Sequence, residues 1–171
     1  MVNSKWSNGK LFSAFKEFID IMNISKKSQI SIATALKEAV GHYQASDSQP
    51  VLTDIHLQPN PESGQLTIFN DDDEVLAIAM VEEWSFFRGK NFYDLAGEVL
   101  RGAVRDLGTE IELGSLALVK PYSFVLVDEE KETVTELMLV DDRGTLFLDD
   151  ELLKGLDDEL DSFIKKLLSD V

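Results

Sequence analysis

The chain has 171 residues, of which 44% are hydrophobic, and its 32 acidic residues outnumber its 16 basic ones, giving a net charge of −16. This apolar content excludes disorder over most of the chain, because disordered segments lack the side chains needed to build a core. The chain has no cysteine and only two histidines, which excludes a disulfide scaffold and a thiolate metal site and leaves too few ligands for a multi-histidine zinc site.

Two amphipathic helices are predicted at the N-terminal end. Residues 1–9 are polar and are expected to form a flexible leader. Apolar residues then recur at helical spacing in two stretches, and Ser25 or Ser28 is placed to cap the second helix, which ends near Gly41. The apolar positions are Leu11, Phe12, Phe15, Phe18, Ile19 and Met22 in the first helix and Ile32, Leu36, Ala39, Val40 and Tyr43 in the second.

Three strands follow. Val51–Gln58 alternates between apolar and polar residues, which predicts a half-buried strand, and Gln65–Phe69 and Glu74–Val81 are the next two. Turn formers at 59–64 and 70–73 make connections too short for crossovers, so the pairing is expected to be antiparallel. Both faces of the third strand are apolar, which predicts a strand buried on both sides, either central in a meander or covered by helices.

A third helix is predicted from its N-cap Asn91 to a C-terminal stop at Gly108. Gly97 and Gly102 lie inside it, and each costs about 1 kcal/mol relative to alanine. Either they let another backbone approach closely or the helix is simply weaker.

The last third of the chain is predicted to hold short strands and a helix. The strands are Ile111–Val119, Tyr122–Asp128 and Thr133–Asp141, with a further one at Thr145–Leu148 left open, and the helix follows a cap at Asp149 or Asp150. The element order is α-α-β-β-β-α-β-β-(β)-α, which is typical of an α+β fold with antiparallel sheets and helices packed on one side.

Residues 10–171 are expected to form one α+β domain. The alternative is a subdivision into 10–107 and 108–171, the second part containing β-hairpins and the C-terminal helix.

Catalytic signatures are not found, and neither a cofactor nor a metal site is predicted. The sequence contains no phosphate-binding glycine loop, nucleophile elbow or zinc-protease motif. His42 falls at a helix end and His56 on the polar side of a strand, so neither is assigned a catalytic role. Four consecutive acidic residues at 71–74 are interpreted as a solvated turn, because neighbours in a hairpin cannot all point at one ion. A carboxylate-based hydrolase stays open as the least favoured alternative.

The connector between the third strand and the third helix is the most unusual local feature. It carries Trp84, Phe86, Phe87 and Arg88, three large aromatics within four positions. Either some of them pack under the following helix, or they form an exposed anchor for a protein partner, since interfaces are enriched in aromatics and arginine. Together with Lys26 and Lys27, these four residues are the candidate partner-binding set.

The charge is unevenly distributed along the chain. Residues 1–48 hold six lysines and four acidic residues, whereas residues 49–171 hold ten basic and 28 acidic residues, a net charge of −18. Such a surface repels nucleic acid and favours cationic protein surfaces, although solubility alone is an equal alternative. With no signal peptide and no long apolar run, a cytoplasmic protein without membrane contact is expected.

Residues 11–81 resemble the N-terminal domain of the bacterial transcription factor NusA. The likeness rests on helix faces and on a hairpin closed by a P-x-x-G turn, namely Phe15-Lys16-Glu17, Asn23-Ile24, Ile32, Leu36-Lys37-Glu38-Ala39 and Asn60–Phe69. The resemblance implies contact with RNA polymerase. The RNA-binding modules that follow in that family are not matched here, and the acidic remainder of the chain argues against direct nucleic-acid binding.

The order of elements is also similar to that of type III secretion chaperones. This second likeness rests on topology and charge alone and implies a homodimer that binds protein segments. The sequence therefore predicts a non-catalytic, acidic protein-binding module. One form is an adaptor that contacts RNA polymerase. The alternative is a dimeric chaperone or immunity-type protein that binds a basic protein surface.

Overall fold

A computed structural model describes residues 24–44, 49–142, 146–148, 162–166 and 168. The chain divides into two units, one formed by Ile24–Leu148 and the other by Met1–Asn23 with Asp149–Val171. In the second unit, residues 162–166 are helical, within the predicted last helix. The predicted leader and first helix lie outside the described residues. The single-domain expectation stays a prediction.

Helix α1 spans Lys26–Gly41 and confirms the second predicted helix. Ser25 is its N-cap, and the Ser25 side chain accepts a hydrogen bond from the Ser28 N–H. The predicted apolar stripe faces the core, with Ile32, Leu36, Ala39 and Val40 all buried.

A six-stranded sheet forms the framework of the larger unit. The strands are β1 (Ile55–Pro59), β2 (Gln65–Phe69), β3 (Val75–Met80), β4 (Tyr122–Val127), β5 (Thr133–Val140) and β6 (Leu146–Leu148), in the order β3-β2-β1-β4-β5-β6. All neighbouring pairs are antiparallel except β1 and β4, which are parallel. The α+β fold is confirmed, with a sheet that is mostly but not wholly antiparallel.

Two helices connect β3 to β4. Helix α2 is a single turn, Glu82–Ser85, and helix α3 spans Phe92–Glu110. The predicted start of α3 is confirmed, but the expected stop at Gly108 is wrong, because the helix runs two residues further. A Cβ atom at Gly97 would lie 3.3 Å from Leu126 Cδ2, so this glycine permits close packing against a side chain of β4 and not, as the first interpretation proposed, against another backbone.

The helices α1 and α3 share one core with the inward side chains of the sheet. Inward residues such as Leu57, Leu66 and Leu126 belong to the same buried cluster as the apolar stripes of the two helices. A second, smaller cluster of Phe69, Val125 and Val127 is separate from it. Lys131 lies over the Phe69 ring at 5.0 Å, which helps to cover this second cluster.

Two strand predictions are wrong. Strand β3 is the edge of the sheet and is not buried on both sides, since Val75, Ile78 and Met80 are exposed. Residues 111–119 form no strand: they contain a short 3₁₀ helix, Leu113–Ser115, and a single bridge from Leu118 to Val51. Leu113, Leu116 and Leu118 are nevertheless buried, so the apolar spacing reflects burial rather than a ladder.

Candidate functional site

The aromatic connector divides between core and surface. Trp84 is only 5% exposed and packs edge-on against Phe92 of α3, with ring centroids 5.8 Å apart. Phe87 is half-buried and tilted against the same ring at 6.0 Å. Phe86, at the end of α2, is 75% exposed. Packing of some of the aromatics under the following helix is confirmed, and Trp84, which lies in the core, does not belong to the exposed part of the candidate partner-binding set. Phe86 is exposed, and its role as an anchor for a partner stays a prediction.

Glu83 joins α2 to the N-terminus of α1. Its two carboxylate oxygens accept hydrogen bonds from the Ser28 hydroxyl at 2.6 Å and from the Ser25 N–H at 3.0 Å. Burial alone would raise the pKa of Glu83, but the hydrogen bonds from Ser28 and Ser25 outweigh it and lower the pKa from 4.5 to about 2. A carboxylate at a helix N-terminus also meets the positive end of the helix dipole. Glu83 therefore fixes α2 against α1.

This junction brings the predicted lysines next to the predicted aromatics. Lys27 Nζ lies 3.7 Å from Glu82 Oε1. Glu82 and Phe86 are four residues apart on one helical turn, which places their side chains on the same face. Lys26 is exposed beside Lys27. Arg88 is also exposed and folds back, with Nη1 donating to the Ser85 and Phe87 carbonyls at 2.9 and 3.1 Å.

Two apolar residues extend this surface and were not predicted from the sequence. The Met80 N–H donates to the Ser31 hydroxyl at 3.2 Å, so the end of β3 adjoins α1. Ile30 precedes Ser31 and is three residues from Lys27, on the same side of the helix. Ile30 is 58% exposed and Met80 is 47% exposed. One feature of the sequence could have identified Ile30: it lies off the apolar stripe of α1, so an exposed position could have been predicted for it.

We call this region the Phe86 surface. It consists of Lys26, Lys27, Ile30, Met80, Phe86 and Arg88. It is assembled from α1, the end of β3 and the end of α2. Four of the six candidate residues, Lys26, Lys27, Phe86 and Arg88, belong to it, and all four are exposed.

A second cluster surrounds His56. Its Nε2 lies 2.7 Å from Asp71 Oδ1, and its ring stacks on Phe69 with centroids 5.1 Å apart. Asp71 Oδ1 also accepts the Asp54 N–H at 3.3 Å, and the Asp71 N–H donates to Thr53 Oγ1 at 2.8 Å. The carboxylate therefore holds one ring nitrogen of the histidine, as an orienting residue would.

The serine nearest to this cluster on β4 is engaged elsewhere. The Ser123 hydroxyl donates to a Glu136 carboxylate oxygen, and the Ser123 N–H donates to Asp54 Oδ1 at 2.9 Å. Among the described residues, no hydroxyl is hydrogen-bonded to His56, so the contact between nucleophile and base that a triad requires is not formed there.

The remaining candidates have structural contacts. His42 Nε2 lies 3.1 Å from the Leu76 carbonyl of edge strand β3. The acidic residues at 71–74 are exposed in a turn, where the Asn70 side chain accepts the N–H groups of Asp72 and Glu74 at 3.0 Å. Within the described ranges, no group of three or more histidine and carboxylate side chains is arranged to hold a metal ion.

Among the residues that the structure describes, no helix has the length and apolar character needed to cross a bilayer. No protein-family model matches the sequence, and no curated protein or solved structure matches it either.

Proposed function

We propose that the chain is a non-catalytic protein-binding module and that the Phe86 surface is where it contacts its partner. The observation that carries this proposal is the 75% exposure of Phe86 on a turn whose other aromatics are anchored in the core. The ring contacts of Trp84 and Phe87 fix the backbone on either side of Phe86, so less backbone conformational entropy is lost there when a complex forms, which favours this aromatic as an anchor.

RNA polymerase is the first partner to test. The resemblance to the NusA N-terminal domain includes the hairpin of β1 and β2, and that hairpin turn lies beside α2. The Val81 N–H donates to the Gly64 carbonyl at 2.7 Å, and Gly64 has a positive φ of 78°. A Cβ at this position would lie 2.5 Å from the Val81 carbonyl oxygen, so glycine lets the turn approach α2. The hairpin turn therefore adjoins the Phe86 surface within the larger unit.

The test uses purified RNA polymerase and three forms of the protein. We expect the wild type to bind, Phe86→Ala to weaken binding about tenfold or more, and Leu52→Ala to leave it unchanged. Leu52 is a matched control because it is 78% exposed but precedes β1, at the opposite end of that strand from the hairpin turn. If the wild type does not bind, the hypothesis of a polymerase adaptor is wrong. If both variants lose affinity equally, the assignment of the Phe86 surface as the contact site is wrong.

A dimeric chaperone that binds a basic partner is the second candidate. The chaperone likeness names the order α-β-β-β-α-β-β-α. Apart from the single turn α2 and the short 3₁₀ helix, the described elements of the larger unit run α-β-β-β-α-β-β-β, so they share the first seven elements and add β6. The exposed side chains of edge strand β3 supply an apolar surface suited to a second copy. We expect Ile78→Glu to halve the solution mass measured by light scattering, whereas Val134→Glu, at an exposed position on β5, leaves it unchanged. A wild-type monomer at all concentrations rules this candidate out.

A further inference from the structure

The Phe86 surface combines exposed apolar side chains with basic ones on a strongly acidic chain. Ile30, Met80 and Phe86 are contributed by three different elements that direct contacts hold together. Ile30 precedes Ser31, which accepts the Met80 N–H, and Phe86 ends the turn that carries Glu82, the partner of Lys27, so the three exposed apolar residues are contributed to one junction. Exposed apolar side chains grouped beside polar groups are typical of protein interaction sites.

The carboxylates at this junction are already engaged. Glu82 pairs with Lys27, and Glu83 accepts hydrogen bonds from Ser25 and Ser28. Lys26, Arg88 and the nearby Lys90 are exposed. Counting Lys26, Lys27, Arg88 and Lys90 against Glu82, Glu83 and the exposed Glu62 of the adjoining hairpin turn leaves a balance of +1, in contrast to the net charge of −16 of the whole chain. A cationic partner would meet repulsion here, whereas an anionic one would be attracted at short range.

From this arrangement we infer that the Phe86 surface recognises an acidic protein segment that carries a large apolar side chain. The inference rests on the proposed function and specifies the partner's chemistry at that site. The apolar side chain packs on Ile30, Met80 and Phe86, and its flanking carboxylates face Lys26 and Arg88. On RNA polymerase or any other partner, the contacted segment is then acidic.

Three labelled peptides of equal length test the inference by fluorescence anisotropy. Each contains one leucine and one phenylalanine, flanked by aspartate and glutamate in the first peptide, by asparagine and glutamine in the second, and by lysine in the third. We expect the acidic peptide to bind most tightly, the amide peptide about tenfold more weakly and the lysine peptide more weakly still.

Lys26→Glu and Lys37→Glu form a pair of variants of equal charge. Lys37 also pairs with Glu110 at 2.6 Å, an exposed ion pair that contributes about 1 kcal/mol or less, so urea denaturation checks that both variants are folded. Both change the net charge equally, on the same helix, at positions about 16 Å apart. A glutamate in the first turn suits the helix dipole, so Lys26→Glu is not expected to unfold the protein. We expect Lys26→Glu to weaken binding of the acidic peptide about fivefold and Lys37→Glu to leave it unchanged.

The outcomes separate this inference from the proposed function. If the amide or lysine peptide binds as well as the acidic one, if no peptide binds, or if the two lysine variants behave alike, the acidic-segment inference is wrong. The proposed function fails separately, when Phe86→Ala and Leu52→Ala bind the protein partner equally. If Phe86→Ala instead halves the solution mass of the free protein, a second copy occupies the surface and the acidic-segment inference is overturned.

Discussion

Arg101 is fully buried on α3, where its Nη1 donates to Glu98 Oε1 at 2.9 Å and its Nη2 to the Glu136 carbonyl at 3.3 Å. Arg101→Ala removes the guanidinium from beside a carboxylate whose side chain is only 6% exposed. We expect the free energy of unfolding to fall by about 3–5 kcal/mol, measured by urea denaturation. Arg105→Ala, at an exposed position one turn later, is the control and should change it by less than about 0.5 kcal/mol.

Glu83 is the residue on which the geometry of the Phe86 surface depends. Glu83→Ala removes the acceptor for Ser25 and Ser28 and should cost about 1–2 kcal/mol at neutral pH, the size of a lost helix cap. Glu82→Ala breaks only an exposed ion pair and should cost about 0.5 kcal/mol or less. Equal effects of the two variants in urea denaturation would contradict the assigned role of Glu83.

The pH dependence follows from the lowered pKa of Glu83. Because its pKa is about 2 in the folded state and 4.5 ordinarily, its contribution is complete above pH 4.5 and is lost as the pH falls toward 2. The difference in the free energy of unfolding between the wild type and Glu83→Ala should therefore narrow as the pH falls over this interval. A constant difference would contradict the hydrogen bonds assigned to the ionised Glu83 carboxylate.

At the scale of elements, the two glycines of α3 provide a matched test of helix packing. A Cβ atom at Gly102 would lie 3.7 Å from Arg105 Nη2, which is an ordinary van der Waals contact. A Cβ atom at Gly97 would lie 3.3 Å from Leu126 Cδ2 of β4, which is a tight one. Gly102→Ala should stabilise the protein by about 0.5–1 kcal/mol. Gly97→Ala should gain nothing or lose stability, since the Leu126 side chain must move. Equal shifts in thermal unfolding would show that the close approach at Gly97 has no energetic effect.

Helices were predicted better than sheet positions, because helix signals are local. The cap at Ser25 and the apolar stripe of α1 lie within one short stretch of sequence. The edge position of β3 depends on β1 pairing with β4, a parallel contact across more than 60 residues that no local pattern encodes. The apolar run in β3 suggested burial on both faces, yet Val75, Ile78 and Met80 remain exposed although α1 packs against this strand.

In the candidate site, too, the local pattern was predictable from the sequence and the tertiary contacts were not. Aromatic enrichment identified the connector, but spacing alone did not reveal which ring would face the solvent. Trp84 and Phe87 are held by Phe92, a residue of the next element, and Phe86 is left outside. Ile30 and Met80 joined the surface only through the tertiary contact between Ser31 and the end of β3.

At the scale of the whole molecule, charge is the property that the sequence describes most completely. The excess of carboxylates lies after residue 48, and several of them occupy the exposed turns at 71–74 and 128–132. Among the described residues, Lys131 pairs with Asp73 at 3.1 Å, which joins these two turns. Because many of the carboxylates lie in these turns, the basic residues of the Phe86 surface differ in charge from these other exposed parts of the larger unit.

Self-repulsion among these carboxylates gives the last prediction. Raising sodium chloride from about 10 mM to about 150 mM shortens the screening distance from about 30 Å to about 8 Å, so repulsion between distant surface charges is suppressed. A chain with a net charge of −16 should then unfold at a higher urea concentration. The exposed pairs Lys27–Glu82 and Lys131–Asp73 weaken under the same conditions, but each contributes little. A midpoint that falls with added salt would mean that attractive pairs outweigh the net repulsion, and the acidic exterior would then be a stabilising network.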